Sequence, residues 1–168
     1  MLADIPAGTH CFVDANIFYY HLVDTPPLSE ECSNFFEQIE RQEITATTSS
    51  VAVAEAIHKV MLAEAVALHS LVRRGLAHRL QRRRKLISTL KEHTKVTSLV
   101  RALSIHVEPI TLEILEHAAI LSTDFQLLTN DALTLAVMQQ IKVRDLVSND
   151  QNFVAVGGIT VWRPSPAA

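Results

Sequence analysis

Short apolar or β-branched runs alternate with helical stretches along nearly the whole chain, and this alternation limits the fold more than any other feature. Residues 11–14, 44–48, 106–110, 145–147 and 159–162 read as strands, the last as an edge strand. Pro26-Pro27 closes the loop expected to follow the first strand. Ser29 can cap a helix carrying Phe35, Phe36 and Ile39 on one face. Ser49 or Ser50 opens a second helix through Val51, Ala54, Ile57, Val60 and Met61. Residues 62–103 stay helical, with Gly75 the obvious weak point. Thr111 caps a helix expected to turn Leu112, Leu115 and Ala119 inward. Residues 129–131 open another, and 132–137 are nearly all apolar. Strands separated by helices pair in parallel, and a parallel sheet needs cover on both faces. The expected fold class is therefore α/β.

The first strand contains a contradiction. Asp14 lies within the apolar run 12–20, and burying an unpaired carboxylate costs several kcal/mol. A paired ion, a raised pKa or a bound cation at the strand end would each resolve it. Functional sites in parallel sheets form outside the carboxyl ends of the strands, where both Asp14 and Asp150 fall.

Charge is distributed unevenly. The net charge is -3, yet residues 59–101 hold eleven of the fifteen Lys and Arg against two acids, a local charge of +9. The remainder carries -12. A basic helical arm, residues 62–103, on an acidic body can meet a polyanion. Its candidate contacts are Arg73, Arg74, Arg79, Arg82, Arg83, Arg84 and Lys85, which a merely solvated helix face would explain as well.

Four acids stand out, and each has an ordinary reading when taken singly. Asp14 can cap a turn, Glu55 can pair with Lys59 one helical turn on, Asp131 can favour a helix start, and Asp150 can serve a turn. Their joint placement on strand end, helix, helix start and strand end is harder to explain that way. Converging carboxylates need a cation to remain ionised, and all-oxygen ligation favours Mg²⁺ or Mn²⁺. An acidic pocket, a divalent cation and a basic flank point to a nuclease.

Other chemistries find less support. Cys11 and Cys32 have no metal-ligand spacing, and His58, His69, His78 and His93 lack a carboxylate at metal spacing. Gly157-Gly158 precedes an edge strand and makes no phosphate cradle. Tyr19, Tyr20 and Trp162 read as core or interface residues before base platforms. No leader and no apolar run of ~18 residues is evident, so a soluble, cytoplasmic protein without a membrane role is expected. Residues 1–163 read as one domain and 164–168 as a frayed tail.

Val13-Asp14-Ala-Asn16-Ile-Phe, Ala54-Glu55, Leu128-Thr-Asn130-Asp131-Ala-Leu-Thr-Leu-Ala136 and Leu146-Val-Ser148-Asn149-Asp150-Gln-Asn152-Phe153 together resemble the PIN domain in order and spacing. The resemblance implies a three-layer α/β/α sandwich with a central parallel sheet and a Mg²⁺- or Mn²⁺-dependent ribonuclease site. Its catalytic and metal-holding acids would be Asp14, Glu55, Asp131 and Asp150, with Asn16, Ser148 and Asn149 supporting them. Small members of this kind are often VapC-type toxins, homodimers neutralised by a small antitoxin. The residue before Phe153 is commonly acidic in the family and here is Asn152, and the arm is longer and more basic than usual. The alternatives are a PIN-like module that binds RNA or protein without catalysis, or a housekeeping RNA-processing nuclease with no antitoxin.

Overall fold

Three consecutive residues of the first strand explain the layered architecture. Cys11, Phe12 and Val13 are fully buried, with Cys11 and Val13 in one apolar cluster and Phe12 in another. Successive strand residues point to opposite faces, so both faces of this sheet carry a core. The structure, a computed structural model, describes residues 1–72 and 74–164.

In chain order the elements are β1 (His10–Val13), α1 (Ala15–Leu22), α2 (Leu28–Glu40), β2 (Thr45–Ser49), α3 (Ser50–His69), α4 (Leu76–Arg82), α5 (Arg84–Ile87), α6 (Thr94–Ala102), β3 (His106–Glu108), α7 (Leu112–Phe125), α8 (Thr129–Gln140), β4 (Asp145–Val147) and β5 (Thr160–Trp162). The five strands form a sheet in the order β3-β2-β1-β4-β5, parallel at every pairing. Residues of α1, α2, α3 and α6 build the core on one face, and those of α7 and α8 build it on the other. This is the expected α/β/α sandwich. The chain winds outward from β1 to β3, then returns to place β4 on the other side of β1, which opens a crevice at their carboxyl ends.

Several local expectations are corrected. A helix, α1, follows the first strand before Pro26-Pro27 is reached. Asp14 adopts an extended conformation and caps it, its Oδ1 accepting from the Ala15 N–H at 2.6 Å. Ile17, Phe18, Tyr19 and Tyr20 favour strands intrinsically, but burial of Ala15, Ile17 and Phe18 on one helical face overrides that preference. Ser29 lies inside α2, with Pro27 at the cap position. Ser49 caps α3 by accepting from Ala52 N–H, and α3 buries Ala52, Ala56 and Val60 while Ala54 is exposed.

The inward face of α7 is Ile114, Ala118 and Leu121, not the expected stripe. Leu112 and Leu115 are 66% and 45% exposed, with Ile120 also outside. Two apolar stripes run along this helix, and periodicity cannot say which one meets the sheet.

The basic arm is not one continuous hairpin. Helix α3 stops at Ser70, which adopts the left-handed conformation, and Gly75 does so again before α4. Ala65, Leu76, Leu80 and Leu90 form a small core of their own beneath it. Glu64 secures the far turn by accepting from the N–H groups of Lys91 (2.7 Å) and Glu92 (2.9 Å). Both thiols are free and buried, and burial is the main cause that pushes each up to about 12. Pro164 is buried, while residues 165–168 of the expected tail lie outside the described residues.

Candidate active site

Asp14, Glu55, Asp131 and Asp150 line one cleft, brought there by the end of β1, the second turn of α3, the first turn of α8 and the segment after β4. The cleft is small, about 30 Å³. Asn16, Asn130, Thr134 and Lys59 complete its walls.

The pairings of β4 with β1 and with β5 hold the base of the site. Asp14 N–H donates to the Val147 carbonyl at 3.0 Å, and Ser148 N–H to that of Trp162 at 3.1 Å. These bonds set Asp14 and Ser148 side by side. Ser148, fully buried, donates its hydroxyl to Asp14 Oδ2 at 2.6 Å, and Asn16 Nδ2 donates to the same oxygen at 2.5 Å. Ser148 Oγ also accepts from the Asp150 N–H at 3.0 Å. Asn149 N–H donates to Asn16 Oδ1 at 3.2 Å. Each supporting residue expected from sequence therefore touches the acids or one another.

The remaining acids have their own donors. Glu55 takes the Lys59 ammonium at 2.7 Å and the Asn130 amide at 2.7 Å. Asn152 donates its amide to Asp131 Oδ2 at 3.0 Å and its backbone N–H to Asp150 Oδ1 at 2.8 Å. Lys59 was expected from sequence only as the ordinary i+4 partner of Glu55, and Asn130 and Asn152 were not singled out as partners of the acids. A signal was present for Asn152, the neutral residue where an acid is usual.

Electrostatics confirm that the acids sense one another. Burial raises the Asp14 carboxyl above its ordinary value; the Ser148 bond, the Ala15 N–H and Lys59 counter this, while Glu55 adds to it. Burial also raises Asp131, eased by Asn152 and aggravated by the charges of Asp150 and Glu55. Burial would lower Lys59, but Glu55, with Asp14, raises it overall. Lys59 is the internal counter-ion of the cluster.

Among the described residues, no three His, Cys, Asp or Glu side chains form a ready-made metal cage. The chemistry of the donors nevertheless fits a hard divalent cation: four carboxylates, all oxygen, line one cleft. Asp14, Glu55, Asp131 and Asp150 are the groups that would hold it.

On the arm, Arg74, Arg82, Arg83, Arg84 and Lys85 are exposed. The Arg79 guanidinium is turned onto the Val72 and Arg74 carbonyls and clamps the loop before α4. Arg73 lies outside the described residues.

The PIN-domain family model matches residues 11–159, a span that takes in all four acids. The chain belongs to the PIN-domain family. No curated relative matches it by sequence. This PIN-domain chain shares its fold with VapBC2 from Rickettsia felis, solved on a promoter DNA fragment, at 15% identity and TM-score 0.56, covering 92% of this chain and 98% of that one. It is similar to Mycobacterium tuberculosis VapC20, described as a Sarcin-Ricin loop cleaving toxin, at 15% identity and TM-score 0.59, with 89% and 96% covered. A toxin-antitoxin complex from Klebsiella pneumoniae matches at 18% identity and TM-score 0.50, over 94% and 99%. Among the described residues, no helix of this PIN-domain protein is long and apolar enough to cross a membrane.

Proposed function

We propose that this PIN-domain protein is a Mg²⁺- or Mn²⁺-dependent endoribonuclease and the toxin of a VapBC-type toxin–antitoxin pair. Four carboxylates from four separate elements, lining one cleft at the β1–β4 crevice, carry the reading. Bound among them, a divalent cation would offset their charge and polarise both the phosphodiester and an attacking water. The chain's own groups do the rest. Ser148 and Asn16 hold Asp14 in one orientation, Asn130 holds Glu55, and Asn152 spaces Asp131 from Asp150. Lys59 keeps a cation at the cleft wall, where it can meet a phosphate oxygen.

RNA as the substrate class is supported by the likeness to a toxin that cleaves the Sarcin-Ricin loop. The likeness to two toxin–antitoxin structures supports an antitoxin partner, whose gene would stand as a small open reading frame beside this one. The exposed Leu112, Leu115 and Ile120 face of α7 favours a homodimer, and the free thiols suit a cytoplasmic location.

A second reading keeps the fold without catalysis, as an RNA- or protein-binding module. It is favoured by one observation: every acid is already satisfied by a donor from the chain. Incubating the purified protein with RNA and Mg²⁺ or Mn²⁺ separates the two. Metal-dependent cleavage is expected; bound but intact RNA under any divalent cation selects the module.

The exposed arm arginines give a separate test of RNA contact. Reversing the charge at Arg82, Arg83 and Arg84 should weaken binding and flatten its salt dependence. Three lost phosphate contacts on a single strand correspond to a log–log slope change of about 2. A slope unchanged from the parent protein removes this segment from the RNA interface.

A further inference from the structure

Beside the acidic cleft runs a larger groove, about 330 Å³, between α1 and α3 and bounded by the first residue of α4. Its walls are mostly apolar, formed by Leu62, Val66 and Leu76 with the rings of Tyr19 and Tyr20. Asn16 and Lys59 line both cavities, so the groove opens on the cleft across a shared wall.

We propose that this groove seats the base of the RNA nucleotide adjoining the scissile phosphate. The inference rests on the ribonuclease reading and adds a subsite to it.

Three observations favour a nucleobase as the occupant. The first is continuity: a phosphodiester held at the cleft carries its neighbouring nucleoside across Asn16 and Lys59. The second is that the Tyr20 ring is fixed before any ligand arrives. Asn149 Nδ2 donates to Tyr20 Oη at 3.2 Å, and Arg163 in turn donates to the Asn149 carbonyl (3.0 Å) and Oδ1 (3.2 Å). Asn149 thus ties the groove to the same β4 end that orients Asp14, and an aromatic surface held in place suits stacking. The third is charge. Lys59 and four further wall residues, Leu62, Ala63, Val66 and Leu76, belong to the segment of highest positive charge, residues 59–101, which draws a phosphate backbone to this side of the molecule. The volume lies at the lower end of the ~300–1,000 Å³ range of small-ligand sites, a size suited to one nucleoside. With few polar groups on the walls, recognition is by stacking and fit, tolerant of which base is present.

The test uses short single-stranded RNAs with one nucleotide in turn replaced by an abasic unit, and in parallel by 2-aminopurine. With the wild-type protein, removing the base at one position beside the cut is expected to lower kcat/KM about tenfold or more. 2-Aminopurine at that position should be quenched on binding. Tyr20→Leu and Val66→Glu should lose both effects, while Tyr20→Phe, which keeps the ring but not the Asn149 bond, should retain both in weakened form.

Cleavage by wild type with no dependence on a base at any position would overturn the groove while leaving the nuclease reading standing. Should no RNA be cleaved at all, the nuclease reading fails, and quenching alone decides the groove: present in wild type and lost in Tyr20→Leu supports it, absent overturns it. RNA handling unchanged in both groove variants, with loss of a defined protein partner, assigns the groove to a protein segment and also overturns the proposal.

Discussion

Asp14→Asn is expected to lower divalent-dependent RNA cleavage by at least about a hundredfold while leaving the fold intact. Groups that merely support a metal ligand are worth about 10–100-fold in affinity or activity, so losing a ligand carboxylate should exceed that range. The fold should survive because Asn caps helices as well as Asp does. Its remaining oxygen can still accept from the Ala15 N–H. The substitution does place a new amide where Asp14 Oδ2 accepts from Ser148 and Asn16. Ser148 Oγ already accepts from the Asp150 N–H and from Asn16 Nδ2, so the new amide faces two donors that lose their carboxylate acceptor, a cost of about 1 kcal/mol. Against that, the buried charge is gone, and burial is the leading cause of the raised Asp14 pKa. The two effects oppose each other, so stability should move by no more than about 1 kcal/mol. Thermal unfolding beside a cleavage assay checks both halves. Full activity with the Asn variant would remove Asp14 from the chemistry.

Asp14 also shows what sequence could and could not reveal. The strand–helix alternation was readable because β1, β2 and β4 are short, buried and flanked by turn residues. The four acids were readable as a set because parallel topology brings strand ends and helix starts to one crevice. The helix directly after Asp14 was hidden, since Ile17, Phe18, Tyr19 and Tyr20 carry strand propensity and only tertiary burial selects the helical face. The orientation of α7 was hidden for a different reason. Leu112 with Leu115 and Ile114 with Ala118 are both apolar stripes, and only the sheet decides between them.

Lys59 illustrates a third limit. As an i+4 partner of Glu55 it resembles any surface pair worth a few tenths of a kcal/mol. Its meaning depends on Asp14 and Asp131, which are remote in sequence and add their charges to its surroundings. The same holds for Tyr20, whose ring is fixed through Asn149, 129 residues away. Local pattern names candidates; long-range contacts assign them work.

The largest loss of stability near the site is expected from Phe153→Ala. Phe153 is 1% exposed and is the buried residue of the short turn Gln151–Ala155, where it packs into the core containing Phe12 and Leu146. Truncating a buried Phe typically costs about 3–5 kcal/mol, against a total stability of about 5–15 kcal/mol for a protein of ordinary size. Urea unfolding should show a lower midpoint with an unchanged slope, the signature of lost native packing. Val154, next in sequence, is 62% exposed, so Val154→Ala should change stability by no more than about 0.5 kcal/mol. The pair therefore separates burial from any general sensitivity of the turn. The same anchor bears on the chemistry. Asp150 precedes the turn and Asn152 lies within it, and Asn152 bonds both Asp150 and Asp131. With Phe153 gone, two of the four acids lose their common spacer's seat, and cleavage should fall further than the unfolded fraction explains. Activity that merely tracks the folded fraction would mean that Asp150 and Asn152 keep their places without the Phe153 anchor.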